Sequence, residues 1–340
     1  MKKMITIVDI ARESGYSVST VSRVLNNKSD VSPVAKQKIM EIVEAYHFVP
    51  NNNAKHLKQG VTKNILVLVK GTSNMLFASI IEEMQNIVAE TSYSLRVYYL
   101  DEDRNEVEEA VRLCRERKPL GVMFLGGNPQ YFEAEFSAVT VPSVLVTNQG
   151  DMLGFENLSS IATDDVAASE TAMDYLLAQG HRNIGVIGGD RFVSRTSKQR
   201  FMGCLNSFEK HGLEFDPDAY YESGRFSFDS AYRATTRLLK KGLPLTAIFA
   251  MADTMAVGAV RAIRDYGLQV PEDISVMGFD GIPLAEYYNP KIATIRQGYK
   301  EIATKSVEVL LGMMDYNRPA SHVIVPFELI QGESVKKIDR

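Results

Sequence analysis

Residues 6–27 read TIVDIARESGYSVSTVSRVLNN, and the stretch holds two helix starts and one helix stop. Thr6 followed three residues later by Asp9 can form a capping box, and Ile7, Ile10 and Ala11 recur at helical spacing. A first helix is therefore expected from about Ile7 to Ser14. Gly15 supplies a left-handed residue to end it, and Ser17 can cap a second helix with Val21, Val24 and Leu25 on one face. A third start follows at Ser32-Pro33, a cap plus a first-turn proline, leading into Ile39, Ile42, Val43 and Tyr46. The beginning of the chain thus reads as a small three-helix module with a tight turn between its first two helices.

The second helix presents Val18, Ser19, Thr20, Ser22, Arg23 and Asn26 opposite its apolar stripe, with no acidic residue. Short hydroxyls allow a close backbone approach and bind phosphate oxygens, and arginine can pair with guanine in the major groove. The charge pattern agrees. Residues 1–60 carry nine Lys/Arg against five Asp/Glu, whereas residues 61–340 carry 29 against 37, within a chain whose formal charge is -4. A basic head on an acidic body points to a polyanion as the partner of the head. A packing module that meets no nucleic acid is the competing reading of these residues.

Farther along, VSPVAKQKI at 31–39 and FVPNNNAKHL at 48–57 complete the pattern. Pro50 blocks the preceding helix, Asn51 can cap, and NNNAKHLKQ is a polar helix too short to persist alone. Ala54 and Leu57 share a face. Together these segments resemble the headpiece of the LacI/GalR family of bacterial transcriptional repressors. The resemblance implies a helix-turn-helix that reads one operator half-site, with Val18 and Ser19 at base-reading positions and Arg23 at the guanine-contacting one. Thr6, Ser17, Thr20, Ser22 and Asn26 are further candidate DNA contacts. It also makes 50–61 a hinge, in which Asn51, Ala54 and Lys55 approach the backbone and Leu57 wedges into the minor groove.

From Asn64 onward, short apolar runs alternate with amphipathic helical patterns: ILVLV at 65–69, LRVYYL at 95–100, GVMFL at 121–125 and SVLVT at 143–147. The alternation restarts with NIGVIGG at 183–189, TAIFAM at 246–251 and ISVMGF at 274–279. Such alternation builds parallel sheets with crossover helices, with ligands at the carboxyl ends of the strands. QGHRNIGVIGG, KQRFMG, VPEDISVMGFD and KIATIRQ resemble the landmarks of the effector domain of the same family. The fold expected is a small all-α headpiece followed by an α/β two-lobed body of the periplasmic-binding-protein-like type I class, each lobe a parallel sheet flanked by helices. The domains expected are 1–49 (headpiece), 50–61 (hinge), 62–161 plus 292–321 (head-proximal lobe) and 162–291 plus 322–340 (distal lobe).

Asp280 follows a strand, where a carboxylate can accept from two adjacent hydroxyls, and Arg200 follows a loop rich in Ser, Thr and Arg. Opposite charges at a crevice suit a neutral polyhydroxylated molecule. The resemblance places Arg200 and Asp280 at the effector clamp, Phe226 at the aromatic stacking position, Phe77 in the first-lobe pocket, and Gln297 and Tyr299 on the crossover strand and its exit. Thr147 and Asp253 complete the candidates. Ser194 stands where purine-binding relatives carry arginine, which favours a sugar or sugar derivative. A cytoplasmic sugar-binding sensor and a nucleobase-responsive regulator are the alternatives.

Composition closes other routes. Two cysteines ninety positions apart support neither a disulfide framework nor a thiolate zinc site. No GxSxG, GxxxxGK[ST], GxGxxG or HExxH occurs, the five histidines show no metal spacing, and Asp101-Glu102-Asp103 reads as a solvated loop. No enzymatic activity, metal or cofactor is expected. The N-terminus lacks the apolar core of a leader and no apolar run is long enough to span a bilayer, so a cytoplasmic location without membrane contact is expected. The tail QGESVKKIDR shows no leucine heptad, so a homodimer facing a pseudo-palindromic operator is expected rather than a tetramer.

Overall fold

In the computed structural model of the chain, the described residues are 6–25, 31–46, 63–71 and 74–338. They fall into two compact units, 1–62 and 63–340.

The first unit holds three helices, α1 (Ile7–Ser14), α2 (Val18–Leu25) and α3 (Pro33–Ala45). The capping box forms as its residues require: Asp9 N–H donates to Thr6 Oγ1, and Thr6 N–H donates to the Asp9 carboxylate at 2.9 Å. Gly15 ends α1 at φ 74°, a conformation that a Cβ would penalise. Thr20 N–H donates to Ser17 Oγ at 3.1 Å, which starts α2. Ile10, Val21, Val24 and Ile39 are buried together, one or two from each helix. Burying each such side chain contributes about 1.5–3 kcal/mol, so this small core closes only because all three helices share it.

The second unit contains two six-stranded sheets. The first has the order β11-β5-β4-β3-β1-β2, formed by β1 (Asn64–Lys70), β2 (Ser94–Leu100), β3 (Gly121–Leu125), β4 (Ser143–Val146), β5 (Leu158–Thr163) and β11 (His322–Val325). All its pairings are parallel. The second has the order β12-β10-β9-β8-β6-β7, formed by β6 (Ile184–Gly188), β7 (Tyr221–Ser223), β8 (Ala247–Ala250), β9 (Ser275–Asp280), β10 (Ala293–Gln297) and β12 (Phe327–Ile330). Only β12 runs antiparallel to its neighbour. In β1, Ile65, Val67 and Val69 enter one core while Leu66 and Leu68 enter another. A continuous apolar run is what a parallel strand covered by helices on both faces requires.

Two expected lobe boundaries need correction. The expected return to the first lobe at residue 292 does not occur there: Ala293–Gln297 pairs with β9 in the second sheet, Ala293 opposite Met277. The chain crosses instead at Gly298, after which the helix Tyr299–Tyr316 packs against the first-lobe core. Likewise the segment from 322, expected wholly in the distal lobe, begins in the first: His322–Val325 pairs with β5 in the first sheet. HVIVPFELI is two strands of different sheets, divided at Pro326, which has no N–H to continue a ladder. An apolar run declares that it is a strand; its hydrogen-bond partner decides which sheet it joins. Strands β5 and β7 and the short helix Pro129–Glu135 are additions to the elements expected from the sequence. Among the described residues no helix is long and apolar enough to cross a membrane.

The remaining helices used below are α4 (Met75–Ala89), α5 (Glu106–Arg117), α6 (Pro129–Glu135), α7 (Asp165–Ala178), α8 (Arg195–Lys210), α9 (Pro217–Tyr220), α10 (Phe228–Lys240) and α11 (Asp253–Asp265). Helices α7 and α8 touch backbone to backbone at Gly203, where a Cβ would lie 2.2 Å from the Val166 carbonyl oxygen. That contact sets the spacing of the two helices that carry Asp165 and Arg200. Gly203→Ala is expected to force them apart and lower stability by about 1–3 kcal/mol, measured as a fall in the urea midpoint of the full chain relative to wild type.

Candidate functional site

The carboxyl ends of both sheets line one cavity of about 430 Å³, and their loops supply its polar groups. Parallel strands followed by helices leave unpaired strand ends and helix N-termini on one side, which makes that side the place for ligand contacts. From the first lobe come Lys70 at the end of β1, Asn74 and Phe77 at the start of α4, and Thr147 and Asn148 after β4. From the second come Ser194 and Arg195 after β6, Arg200 on α8, Phe226 after β7, Asp280 ending β9 and Gln297 ending β10.

Arg200 is the most constrained of these, at 5% exposure. Its Nε donates to Asp165 Oδ1 at 2.9 Å and its Nη1 to the Met251 carbonyl, with Asp280 Oδ1 at 3.7 Å. The guanidinium lies 3.7 Å from the centroid of the Phe279 ring, so its plane is fixed by stacking as well as by hydrogen bonds. Asp280 accepts from Gln297 Nε2 at 2.8 Å. Burial pushes the Asp280 carboxyl up to about 6, against the pull of Arg200 and the Gln297 hydrogen bond. Asp165 is raised for the same reason, burial outweighing Arg200.

Two non-glycine residues at the cavity sit at positive φ, Thr147 at 72° and Asp280 at 114°. For a β-branched threonine this is a strained conformation, and strain of this kind persists where the surrounding structure enforces it. Gly189 is needed for a different reason, since a Cβ there would meet Ser197 Oγ at 2.5 Å and the Phe226 ring at 2.9 Å.

The lobes also touch across the cleft. Asn148 Nδ2 donates to Thr196 Oγ1 at 3.3 Å, and Arg225 pairs with Asp103 and, at 3.6 Å, with Asp101. Asp101 and Asp103, 63% and 75% exposed, lie on a solvated loop as expected and also meet a partner in the opposite lobe.

Of the expected ligand residues, Phe77, Thr147, Arg200, Phe226, Asp280 and Gln297 line this cavity. Asp253 does not. It is wholly buried under β9, accepting from Thr294 Oγ1 at 2.6 Å and from Ile282 N–H at 2.9 Å, and it fastens the turn after β9. Burial and the nearby Asp280 hold its carboxyl well above the ordinary range. Tyr299 also lies outside the lining and packs on the first-lobe core. Lys70, Glu102, Asn148, Asp190, Arg195 and Arg225 also line the cavity, although none is among the ligand residues expected from the sequence. Their common signal is position at the end of a strand or in the segment that follows it, which marks them once the strands are known.

In the first unit, Ser17, Val18, Ser19 and Arg23 are exposed while Val21 and Val24 face the core. Ser17 Oγ lies 2.7 Å from Ser19 Oγ and 2.8 Å from Thr20 Oγ1. Thr20 and Ser22 are half-buried, and Thr6 Oγ1 donates to Asp9. Asn26, Asn51, Ala54, Lys55 and Leu57 lie outside the described residues.

Residues 6–51 match the family described as bacterial regulatory proteins, lacI family, and residues 173–335 match the periplasmic binding protein-like domain. The HTH-type transcriptional regulator MalR of Clostridium butyricum is 37% identical over 96% of this chain and 98% of its own length. The chain belongs to the lacI family of bacterial regulatory proteins. Another relative, the ribose operon repressor of Haemophilus influenzae, is 31% identical over 91% of each chain. The lac repressor structure bound to ONPG in its repressed state superposes with a TM-score of 0.78 over 98% of this chain and 100% of that one, at 24% identity. This last likeness concerns the fold.

The raised Asp280 carboxyl has a stability consequence. Its contribution is fully present below the ordinary value of 3.8 and is lost as the pH rises through about 6, because the buried carboxylate is disfavoured once ionised. Asp280→Asn retains an acceptor for Gln297 without the charge. The ligand-free variant is expected to exceed wild type in stability by about 1–3 kcal/mol at pH 8, with the difference vanishing only below the ordinary value of 3.8, checked by thermal denaturation of both proteins between about pH 3 and pH 8.

Proposed function

We propose that this lacI-family transcriptional regulator is a repressor that reads a pseudo-palindromic operator as a homodimer and is switched by a sugar or sugar derivative held between its two lobes. The observation that carries the reading is the cavity whose lining comes from both lobes, with Arg200, Asp280 and Gln297 at one wall and Phe77 and Thr147 at the other, in a chain whose first helices match the lacI family. Hydroxyls of a polyol can bond the clamp while ring faces pack on Phe77 and Phe226. The exposed face of α2 supports the DNA reading: Val18, 42% exposed, offers an apolar contact of the kind that meets a thymine methyl, and Arg23 offers a guanidinium for guanine.

The switch follows from linkage. An effector that binds one arrangement of the lobes better than another shifts the population toward it, and the headpieces are tethered to the lobes through residues 50–61. Within this proposal Leu57 orders on DNA and enters the minor groove, so that operator and effector change each other's affinity by a common factor. The relatives' names, a MalR regulator and a ribose operon repressor, support a carbohydrate effector. Regulation rather than catalysis, and a cytoplasmic location, belong to the same reading.

Selection of binding sites from random duplex DNA by the full chain is expected to enrich a two-fold symmetric sequence. On that sequence Arg23→Ala should lose about 1–3 kcal/mol of preference over random DNA per half-site, and Asp280→Ala should bind it normally yet lose all response to a sugar that releases or tightens the wild type. Anisotropy titrations read both. Equal loss by Arg23→Ala on selected and random DNA overturns the base-reading role.

A further inference from the structure

The cavity's charges do not balance, and the imbalance bears on which effectors it can hold. Eight charged side chains line it, four cations and four acids, but three of the cations are already engaged by acids. Lys70 Nζ lies 2.5 Å from Glu106, a buried side chain behind the lining. Arg200 is bound to Asp165, likewise behind the lining, and faces Asp280. Arg225 is held by Asp103 and by Asp101. Glu106, Asp165 and Asp101 thus add three carboxylates to the four in the lining, making seven against four cations.

The unengaged groups lean the same way. Glu102 enters no ion pair among the described residues, and burial raises its carboxyl against the pull of the Arg225 and Lys70 charges; Asp190 accepts the Phe192 N–H at 2.8 Å, while the neighbouring Arg191 is turned among the rings of Phe192, Phe201 and Tyr221. Against these stands Arg195, whose buried Nε meets no acceptor among the described residues. A lone guanidinium N–H suits a hydroxyl or ring oxygen, and one such group cannot offset the acids around it.

We propose that the cleft selects an uncharged polyhydroxylated effector and excludes the phosphorylated and carboxylated forms of the same sugar, the surplus of carboxylates acting as the excluding element. This rests on the effector reading above and adds its charge class. Polyol hydroxyls donate to carboxylates, so acidic lining that repels an anion bonds a neutral sugar; specificity of this kind comes from a repulsive element built against the competitor. In a partly enclosed cleft that repulsion is less screened than on an open surface.

The test titrates the full chain by calorimetry with matched sets: neutral hexoses and disaccharides, their 6-phosphates, and the corresponding uronates. For any sugar that binds, the charged member is expected to bind at least about tenfold more weakly. The uronate differs little in size from its hexose, so its rejection separates charge from bulk. Doubling Glu102→Gln with Asp190→Asn should narrow the neutral-to-anionic ratio by about fivefold or more, and raising the salt should narrow it in wild type; rejection by shape alone would respond to neither. Equal or tighter binding of the phosphate or uronate overturns the charge selection while leaving a sugar effector in place, as does a ratio unmoved by both the double variant and salt. Failure of every member of every set to bind overturns the effector reading and this inference with it.

Discussion

The guanidinium of Arg200 joins α8 to three pieces of the second lobe that are far apart in the chain: the start of α7 through Asp165, the end of β8 through the Met251 carbonyl, and the last two residues of β9, Phe279 and Asp280. A buried cation is tolerated only when its donors are satisfied and its charge is answered nearby. Here one answering carboxylate belongs to the scaffold and the other to the cleft. Breaking the close pair of Arg200 with Asp165, at 2.9 Å, by removing one partner costs about 3–5 kcal/mol, so the wall that faces a ligand is held by the same contacts that hold the lobe.

That arrangement also explains why the cleft is poised rather than relaxed. Asp280 is kept at φ 114° at the end of a strand with its carboxyl raised to about 6 by burial. Thr147, across the cleft in the first lobe, is likewise at positive φ. Strain and desolvation at a site are stability given up in favour of groups aimed at a ligand. The interior opposes the cost with ordinary means: two sheets covered on both faces, and glycine at the crossing of α7 and α8.

The two lobes are joined by three crossings and by contacts at the cleft mouth, Asn148 with Thr196 and Arg225 with Asp101 and Asp103. Exposed ion pairs contribute little to global stability. In the proposed switch, pairs between the lobes would favour the arrangement in which they form. The headpiece follows another logic, in which a small core fixes three short helices and leaves one face of α2 to solvent.

How much of this was legible in the chain depends on the range of the interaction. Capping residues, a left-handed glycine and helical spacing act over three or four positions, so α1, α2 and α3 could be placed from Thr6, Gly15, Ser17 and Ser32-Pro33 with no tertiary information. Apolar runs such as ILVLV likewise declared buried parallel strands. Sheet membership did not follow, because Ala293–Gln297 and His322–Val325 carry the same β pattern whichever lobe they join, and hydrogen bonds to residues as distant as Met277 and Ile161 decide it. The site divides the same way. Arg200 and Asp280 stood out through family resemblance, but Asp253 looked equally suited to a ligand until Thr294 and the Ile282 N–H were seen to occupy its carboxylate. Lys70, Arg195 and Arg225 had no local mark at all, since a charged residue after a strand becomes part of a cleft only when a second sheet, built from another part of the chain, faces it.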